Sequence, residues 1–264
     1  MSRARGDERS GDARVEGWLA KLEQRHLADL TLSETARALR ALSSCYVERR
    51  SKLASGEALG SRGKRAAFAL FYGPLHYFVT RAIVRELPSA LDGLEHIIDL
   101  GCGTGAAGAA WAIEACARRV TGYDRNPWAV AEANLTYRSF GGGHSTLSVP
   151  LAMQRDLTRV VTRGGRETGI LAAYAVNELT VEARALVLTE LLTAHARGAR
   201  VLVVEPIAKR ALPWWTTWQS AFEHAGGRED EWRFPADLPQ TQQSLARAAG
   251  LNPRELTARS LWLP

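Results

Sequence analysis

Residues 97–105 read Ile-Ile-Asp-Leu-Gly-Cys-Gly-Thr-Gly, an acid followed by three glycines at alternate positions. Two β-branched residues lead into Asp99, and an Ala-rich stretch, Ala106 to Ala117, follows the last glycine. Glycines at this spacing let a chain turn sharply out of a strand and approach a ligand where a Cβ would clash. A second acid, Asp124, closes the next strand-like run, Arg119-Val-Thr-Gly-Tyr123. In doubly wound α/β domains that place brings a carboxylate to the ribose hydroxyls of a nucleotide.

Two ligands compete for such a turn. Gly103-Thr-Gly105-Ala-Ala-Gly108 also spells the dinucleotide fingerprint, a weak signal by itself. A dinucleotide brings a pyrophosphate to the helix N-terminus, where Asp99 would repel it. S-adenosylmethionine (SAM) has no phosphate and carries a sulfonium and an ammonium, which nearby carboxylates favour. The order Asp99-x-Gly101-x-Gly103-x-Gly105, then Asp124, resembles motif I and its follower in class I SAM-dependent methyltransferases. Tyr123-Asp124-Arg125-Asn126-Pro127 agrees, with Asn126-Pro127 starting the next helix. The expected cofactor contacts are Asp99, Gly101, Cys102, Gly103, Gly105, Asp124 and Arg125, with Asp156 and Leu157 after the third strand. In this fold an acid or amide at the place of Asp156 commonly meets the adenine amine; Asp156 could also be a cap or turn residue.

These residues need a scaffold. The 264 residues, 46% hydrophobic, suffice for one large α/β domain with an appendage. The expected fold is a Rossmann-like class I methyltransferase fold, a mostly parallel doubly wound sheet with an N-terminal helical cap. Residues 1–14 read as a disordered tail, charged and without an apolar face. Residues 15–90 read as the cap: apolar positions at helical spacing to Arg50, a Gly/Ser-rich connector Ser51–Gly63, and a helix over 64–87 broken or bent at Gly73-Pro74. Residues 91–264 read as the SAM-binding domain. Strands are expected at His96–Leu100, Arg119–Tyr123, within Ser145–Arg155, at Ile170–Val176, Arg200–Glu205 and Glu255–Leu263. Helices are expected at Thr104–Ala117, Pro127–Phe140, Val181–Arg197 and Thr241–Ala249, with a turn at Gly141–His144. Residues 206–236 read as a Trp-rich insertion. Either Arg228–Phe234 supplies a seventh strand, or the sheet has six.

Composition narrows the partners. No run of about eighteen apolar residues exists, so no transmembrane helix is expected, and the charged N-terminus does not read as a secretory signal. Cys45, Cys102 and Cys116 have no metal-like spacing, so no metal is expected and a reducing cytoplasm is the simplest home. The net charge of +6 suits an anionic partner such as RNA, or simply a solvated surface.

Asn177 and Glu178, at the end of the fourth strand, stand where the transferred methyl would lie. Amino-methylating enzymes carry Asn/Asp-Pro-Pro-aromatic there, and Glu178-Leu179 replaces the prolines, which disfavours that chemistry. Glu178 could act as a base, anchor a substrate, or complement a helix dipole. No cysteine follows Cys116, which argues against thiolate attack on pyrimidine carbon five. Only four lysines exist, so a Lys-Asp-Lys-Glu ribose-methylation tetrad is not expected. The acceptor is expected to enter between Tyr72 and His76 of the cap, Asn177, and Trp214 and Trp218 of the insertion. Those tryptophan rings could stack unpaired bases, or pack the insertion onto the N-terminal helices.

Four further segments, Leu42-Ser-Ser-Cys-Tyr46-Val-Glu-Arg-Arg50, Phe71-Tyr-Gly-Pro-Leu-His-Tyr77, Tyr174-Ala-Val-Asn-Glu178-Leu and Val201-Leu-Val-Val-Glu205-Pro206, extend the resemblance. Over residues 40–210 the chain resembles bacterial relatives of the mitochondrial small-ribosomal-subunit methyltransferase-like assembly family. That resemblance implies SAM binding and association with small-subunit ribosomal RNA. After Glu205 the chain departs from it: the cysteine-rich cluster-binding segment is replaced by the Trp-rich stretch, so no metal cluster is expected. RNA or a ribonucleoprotein is thus the first acceptor class. A small molecule, a metabolite or natural product, is the second, and a SAM-binding assembly factor without turnover is the third.

Overall fold

Short aliphatic runs such as Ile-Leu-Ala-Ala and Val-Leu-Val-Val alternate with Ala- and Leu-rich stretches, the pattern of strands buried on both faces by helices. The computed structural model, which describes residues 2–48, 59–141, 149–157, 164–207, 212–251 and 254–264, folds them into one seven-stranded sheet. The strands are β1 (His96–Leu100), β2 (Arg119–Asp124), β3 (Val149–Gln154), β4 (Thr168–Ala173), β5 (Arg200–Glu205), β6 (Arg228–Pro235) and β7 (Glu255–Leu263). Their order is β3-β2-β1-β4-β5-β7-β6, parallel through β5, with β7 antiparallel to both β5 and β6. The order reverses between β1 and β4, and ligands of open α/β sheets bind outside the carboxyl ends of the strands at such a switch point.

Helices α5 (Ala106–Glu114), α6 (Pro127–Phe140), α7 (Val181–Ala196), α8 (Trp215–His224) and α9 (Gln240–Ala248) complete this body. The cap comprises α1 (Ser2–His26), α2 (Leu32–Glu48), α3 (Arg62–Ala67), a π-helical turn (Phe68–Tyr72) and α4 (Gly73–Glu86). Helix α1 starts at Ser2, so residues 2–14 of the segment read as a disordered tail continue the helix that carries the apolar stripe Val15, Trp18, Leu19 and Leu22. That stripe lies on α6: Trp18 Nε1 donates to Thr136 Oγ1 at 3.3 Å, and Arg25 and His26 both pair with the buried Glu132. Burial alone would raise the Glu132 pKa; His26 and Arg25 outweigh it and hold the carboxyl below its usual value. Most of the connector from Ser51 and of the turn at Gly141–His144 lies outside the described residues.

The stretch read as an insertion, 206–236, is part of the sheet's own architecture, supplying α8 and β6. Strand β6 is a charged edge, Arg-Glu-Asp-Glu-Trp-Arg-Phe-Pro, and pairs with β7 from Arg228↔Trp262 to Pro235↔Glu255. Both charge and an edge proline are common on strands with one free side. Among the described residues the sheet therefore has seven strands.

Helix 64–87, expected to break or bend at Gly73-Pro74, is continuous there and widened. The Gly73 N–H bonds the Phe68 carbonyl five residues back, the π-helical pattern, and Pro74 then opens α4. Pro74 brings no N–H to the Leu70 carbonyl four residues earlier, and Gln242 Nε2, buried on α9, donates to that oxygen at 2.9 Å. Gln242→Leu is expected to leave the carbonyl unpaired and cost about 1–3 kcal/mol, read as a lower Tm. In a Pro74→Ala background the residue-74 N–H is restored and the same substitution should cost much less. Equal losses in the two backgrounds would refute this account of the turn.

Candidate active site

The glycine turn between β1 and α5 is left-handed at three places, with φ of 68° at Gly101, 51° at Gly103 and 75° at Gly105. Space is short as well as conformation: a Cβ on Gly101 would come within 2.4 Å of Ala175 Cβ, and one on Gly105 within 2.8 Å of the Tyr137 ring. Asp99, 1% exposed, accepts from the Gly108 N–H at 3.1 Å and the Tyr137 hydroxyl at 3.2 Å. Gly108 allows this, since its Cβ would sit 2.4 Å from the carboxylate. Burial pushes the Asp99 pKa up to about 7. Asp99 thus ties the strand end to the first turn of α5.

Asp124 closes the other side. Its Oδ2 accepts from the Gly103 N–H at 2.9 Å and its Oδ1 from the Asn126 N–H at 2.8 Å, which fixes the carboxylate over the turn. Burial raises its pKa and these two N–H groups pull it back in part. Asn126 caps α6 through Oδ1, accepting from Trp128 N–H at 3.0 Å, and Pro127 follows at the first helical position.

Both acids open onto a cavity of about 490 Å³ at the switch point. It is lined by Asp99, Gly101, Cys102, Gly103, Asp124, Arg125, Asp156, Leu157, Asn177 and Glu178, and by Tyr72 and His76 of the cap. Gly105 lies just behind, as the N-cap of α5. Trp214 and Trp218 are not brought to it: with Trp215 and Phe222 they are buried between α8 and the sheet. Residues 215, 218 and 222 recur at the spacing of one helical face. Trp215 is pinned further, its Nε1 donating to Glu229 at 2.8 Å and the Arg259 guanidinium stacked 4.3 Å from its ring.

A short 3-10 turn, Val176–Glu178, forms the floor beyond β4. Buried Glu205, at the end of β5, accepts from the Asn177 N–H at 3.0 Å and holds that turn against the neighbouring strand. The Glu178 carboxyl is pushed up to about 7, first by burial and then by the Asp124 charge across the cavity.

Sequence reasoning did not single out Phe68, Tyr174, Glu205 or the β7 residues Leu256 and Thr257, which also line the cavity. Tyr174 has a φ of 58°, unusual for a residue with a side chain, and its N–H is anchored on the Val204 carbonyl at 2.8 Å. Its ring stacks on His76, 4.0 Å between centroids and 13° between planes.

The charge of the lining tests the cofactor. Six acidic residues (Asp99, Asp124, Asp156, Glu178, Glu205, Glu255) are among the lining against two arginines, Arg125 and Arg155, with Asp99 and Glu205 themselves almost fully buried. That set suits a cationic donor and opposes a diphosphate, and the glycine cradle leaves room for a ligand against the backbone. Among the described residues no group of three His, Cys, Asp or Glu could hold a metal, and no helix is long and apolar enough to cross a membrane.

Comparison with known proteins agrees with this geometry. Similar folds include mitomycin 7-O-methyltransferase MmcR, at 14% identity and a TM-score of 0.50, covering 84% of this chain and 59% of that one. The N-methyltransferase NodS from Bradyrhizobium japonicum WM9, solved with S-adenosyl-L-homocysteine, matches at 13% identity and 0.49, covering 71% and 86%. The methyltransferase domain of bacterial CtHen1 matches at 12% and 0.49, covering 72% and 98%. At 14% identity the likeness to MmcR bears on the fold alone. No curated protein matches in sequence. The Methyltransferase small domain family matches residues 78–154. That segment runs from the cap helix through β1, the glycine turn and β2 to the end of β3, the parts that would grip the donor, and it makes this chain a SAM-dependent methyltransferase.

Proposed function

We propose that this methyltransferase acts on a small molecule enclosed beside the donor, with Glu178 as the group that takes the acceptor's proton. The observation that carries the reading is the wall facing the glycine turn. The cap closes it with Phe68, Tyr72, Leu75, His76 and Val79, and carboxylates line much of the remainder. A polyanion would meet unfavourable charge there, whereas a compact neutral molecule would be desolvated and held. The RNA reading has the net charge of +6 in its favour. It loses its base-stacking platform, because Trp214 and Trp218 are core side chains.

In this reading Asp124 holds the ribose hydroxyls, Asp156 the adenine amine and Leu157 the adenine face, while Gly101 and Gly103 let the donor lie against the backbone. When bound, SAM supplies an electrophilic methyl group on a sulfonium. The protein's part is then mainly alignment, a share of the roughly 7–11 kcal/mol attributed to proximity. Glu205 sets the Asn177–Glu178 turn, and that turn presents the Glu178 carboxyl to the acceptor.

The pH dependence follows from Glu178. Its carboxyl is protonated below about 7 and ionised above, so a rate that needs the carboxylate rises with pH and levels off past that point. A cationic donor beside it lowers the midpoint. Glu178→Gln should flatten the rise and lower the plateau by about 100-fold, measured as S-adenosylhomocysteine formation from pH 5.5 to 9. An unchanged profile would remove Glu178 from this role. For the acceptor class, S-adenosylhomocysteine formation is measured with low-molecular-mass extract fractions and with ribosomal RNA; turnover on RNA alone would overturn the small-molecule reading.

A further inference from the structure

We infer that Phe68, Tyr72, His76 and Tyr174 form the acceptor seat, and that it takes a flat aromatic ring bearing a hydroxyl, hydrogen-bonded to a His76 ring nitrogen. This rests on the small-molecule reading and specifies its substrate class.

The π-helical turn builds the seat. Phe68, Tyr72 and His76 follow one another at four-residue steps, which drift around a regular α-helix but come into line where a turn is widened. Their rings touch in sequence, with centroids 5.9 Å apart for Phe68–Tyr72, 6.2 Å for Tyr72–His76 and 6.0 Å for Phe68–His76. The turn is pressed on the donor loop: a Cβ on Gly73 would reach Thr104 Oγ1 at 3.0 Å, and one on Gly103 the Phe68 ring at 3.7 Å. An acceptor on this row therefore lies beside the donor.

His76 is the polar member. It stacks on Tyr174 and edges onto Phe68, yet among the described residues neither ring nitrogen has a hydrogen-bond partner. The half-buried imidazole lines the cavity, so a ligand there can supply the partner that the protein does not. Desolvation lowers its pKa to about 3, so at neutral pH it carries one N–H and one bare nitrogen. The bare nitrogen accepts from a hydroxyl that anchors the ring, distinct from the group that is methylated and gives its proton to Glu178. A cationic amine would stand beside the sulfonium and be repelled, and a phosphate would face the carboxylates. Tyr174, left-handed at φ 58°, spends backbone strain to keep its ring beneath His76, and such strain concentrates where ligands are gripped.

The test titrates 2-naphthol and naphthalene into protein saturated with S-adenosylhomocysteine, by calorimetry. The wild type should bind 2-naphthol at least tenfold more tightly than naphthalene. His76→Phe, which keeps the ring and removes the nitrogens, should erase that difference while S-adenosylhomocysteine still binds; His76→Asn should lose affinity for both. Equal binding of both compounds, or a preference that survives in His76→Phe, overturns the seat and leaves the small-molecule reading standing. If neither binds, the seat is again wrong; if ribosomal RNA is also the one acceptor turned over, both readings fall.

Discussion

Asp124→Ala is expected to weaken S-adenosylhomocysteine binding at least about 100-fold, because two charge-assisted ribose hydrogen bonds are worth about 1.5–3 kcal/mol each. The carboxylate also accepts the Gly103 and Asn126 N–H groups, so the alanine variant loosens the turn as well. Asp124→Asn separates the two effects: it retains one acceptor oxygen and the side-chain shape, and its loss of affinity should be smaller. Calorimetry gives the affinities, and a thermal melt of the ligand-free protein shows how much of the loss comes from the turn. An alanine variant that binds as tightly as the wild type would eliminate Asp124 as the ribose ligand.

Gly101→Ala should be strongly destabilising. The new Cβ meets Ala175 at 2.4 Å on a backbone at φ 68°. The left-handed backbone costs about 1–2 kcal/mol and the overpacking about 1–3 more. At roughly 2–4 °C per kcal/mol, Tm should fall by about 4–20 °C. Two controls apportion this. Gly93→Ala, at φ 59° with nothing within 4 Å, carries the backbone cost alone. Ala175→Gly in the Gly101→Ala background should restore the packing share, and no recovery would show that Ala175 is not the obstacle.

What the sequence disclosed, and what it withheld, follows from the range of the forces involved. The turn from Asp99 to Gly105 was legible because its requirements are local: positive φ and missing Cβ atoms mark themselves as glycines. Asn126-Pro127 was legible for the same reason, as a cap and a first helical residue. Strand β6 was obscure because Arg228–Pro235 carries charge along an exposed edge and is held as a strand by pairing with β7. The tryptophans misled by their number; the spacing of Trp215, Trp218 and Phe222 already described a buried helical face. Pro74 read as a break or bend because its effect depends on Gln242, which compensates from 168 positions along the chain. Nothing local announces the left-handed Tyr174, which is imposed by the strands on either side.

The bond from Gln242 to the Leu70 carbonyl spans 172 positions of sequence. The widened turn that carries Phe68 and Tyr72 is thus held by a side chain of α9, and a substitution there reaches the cavity wall without touching it.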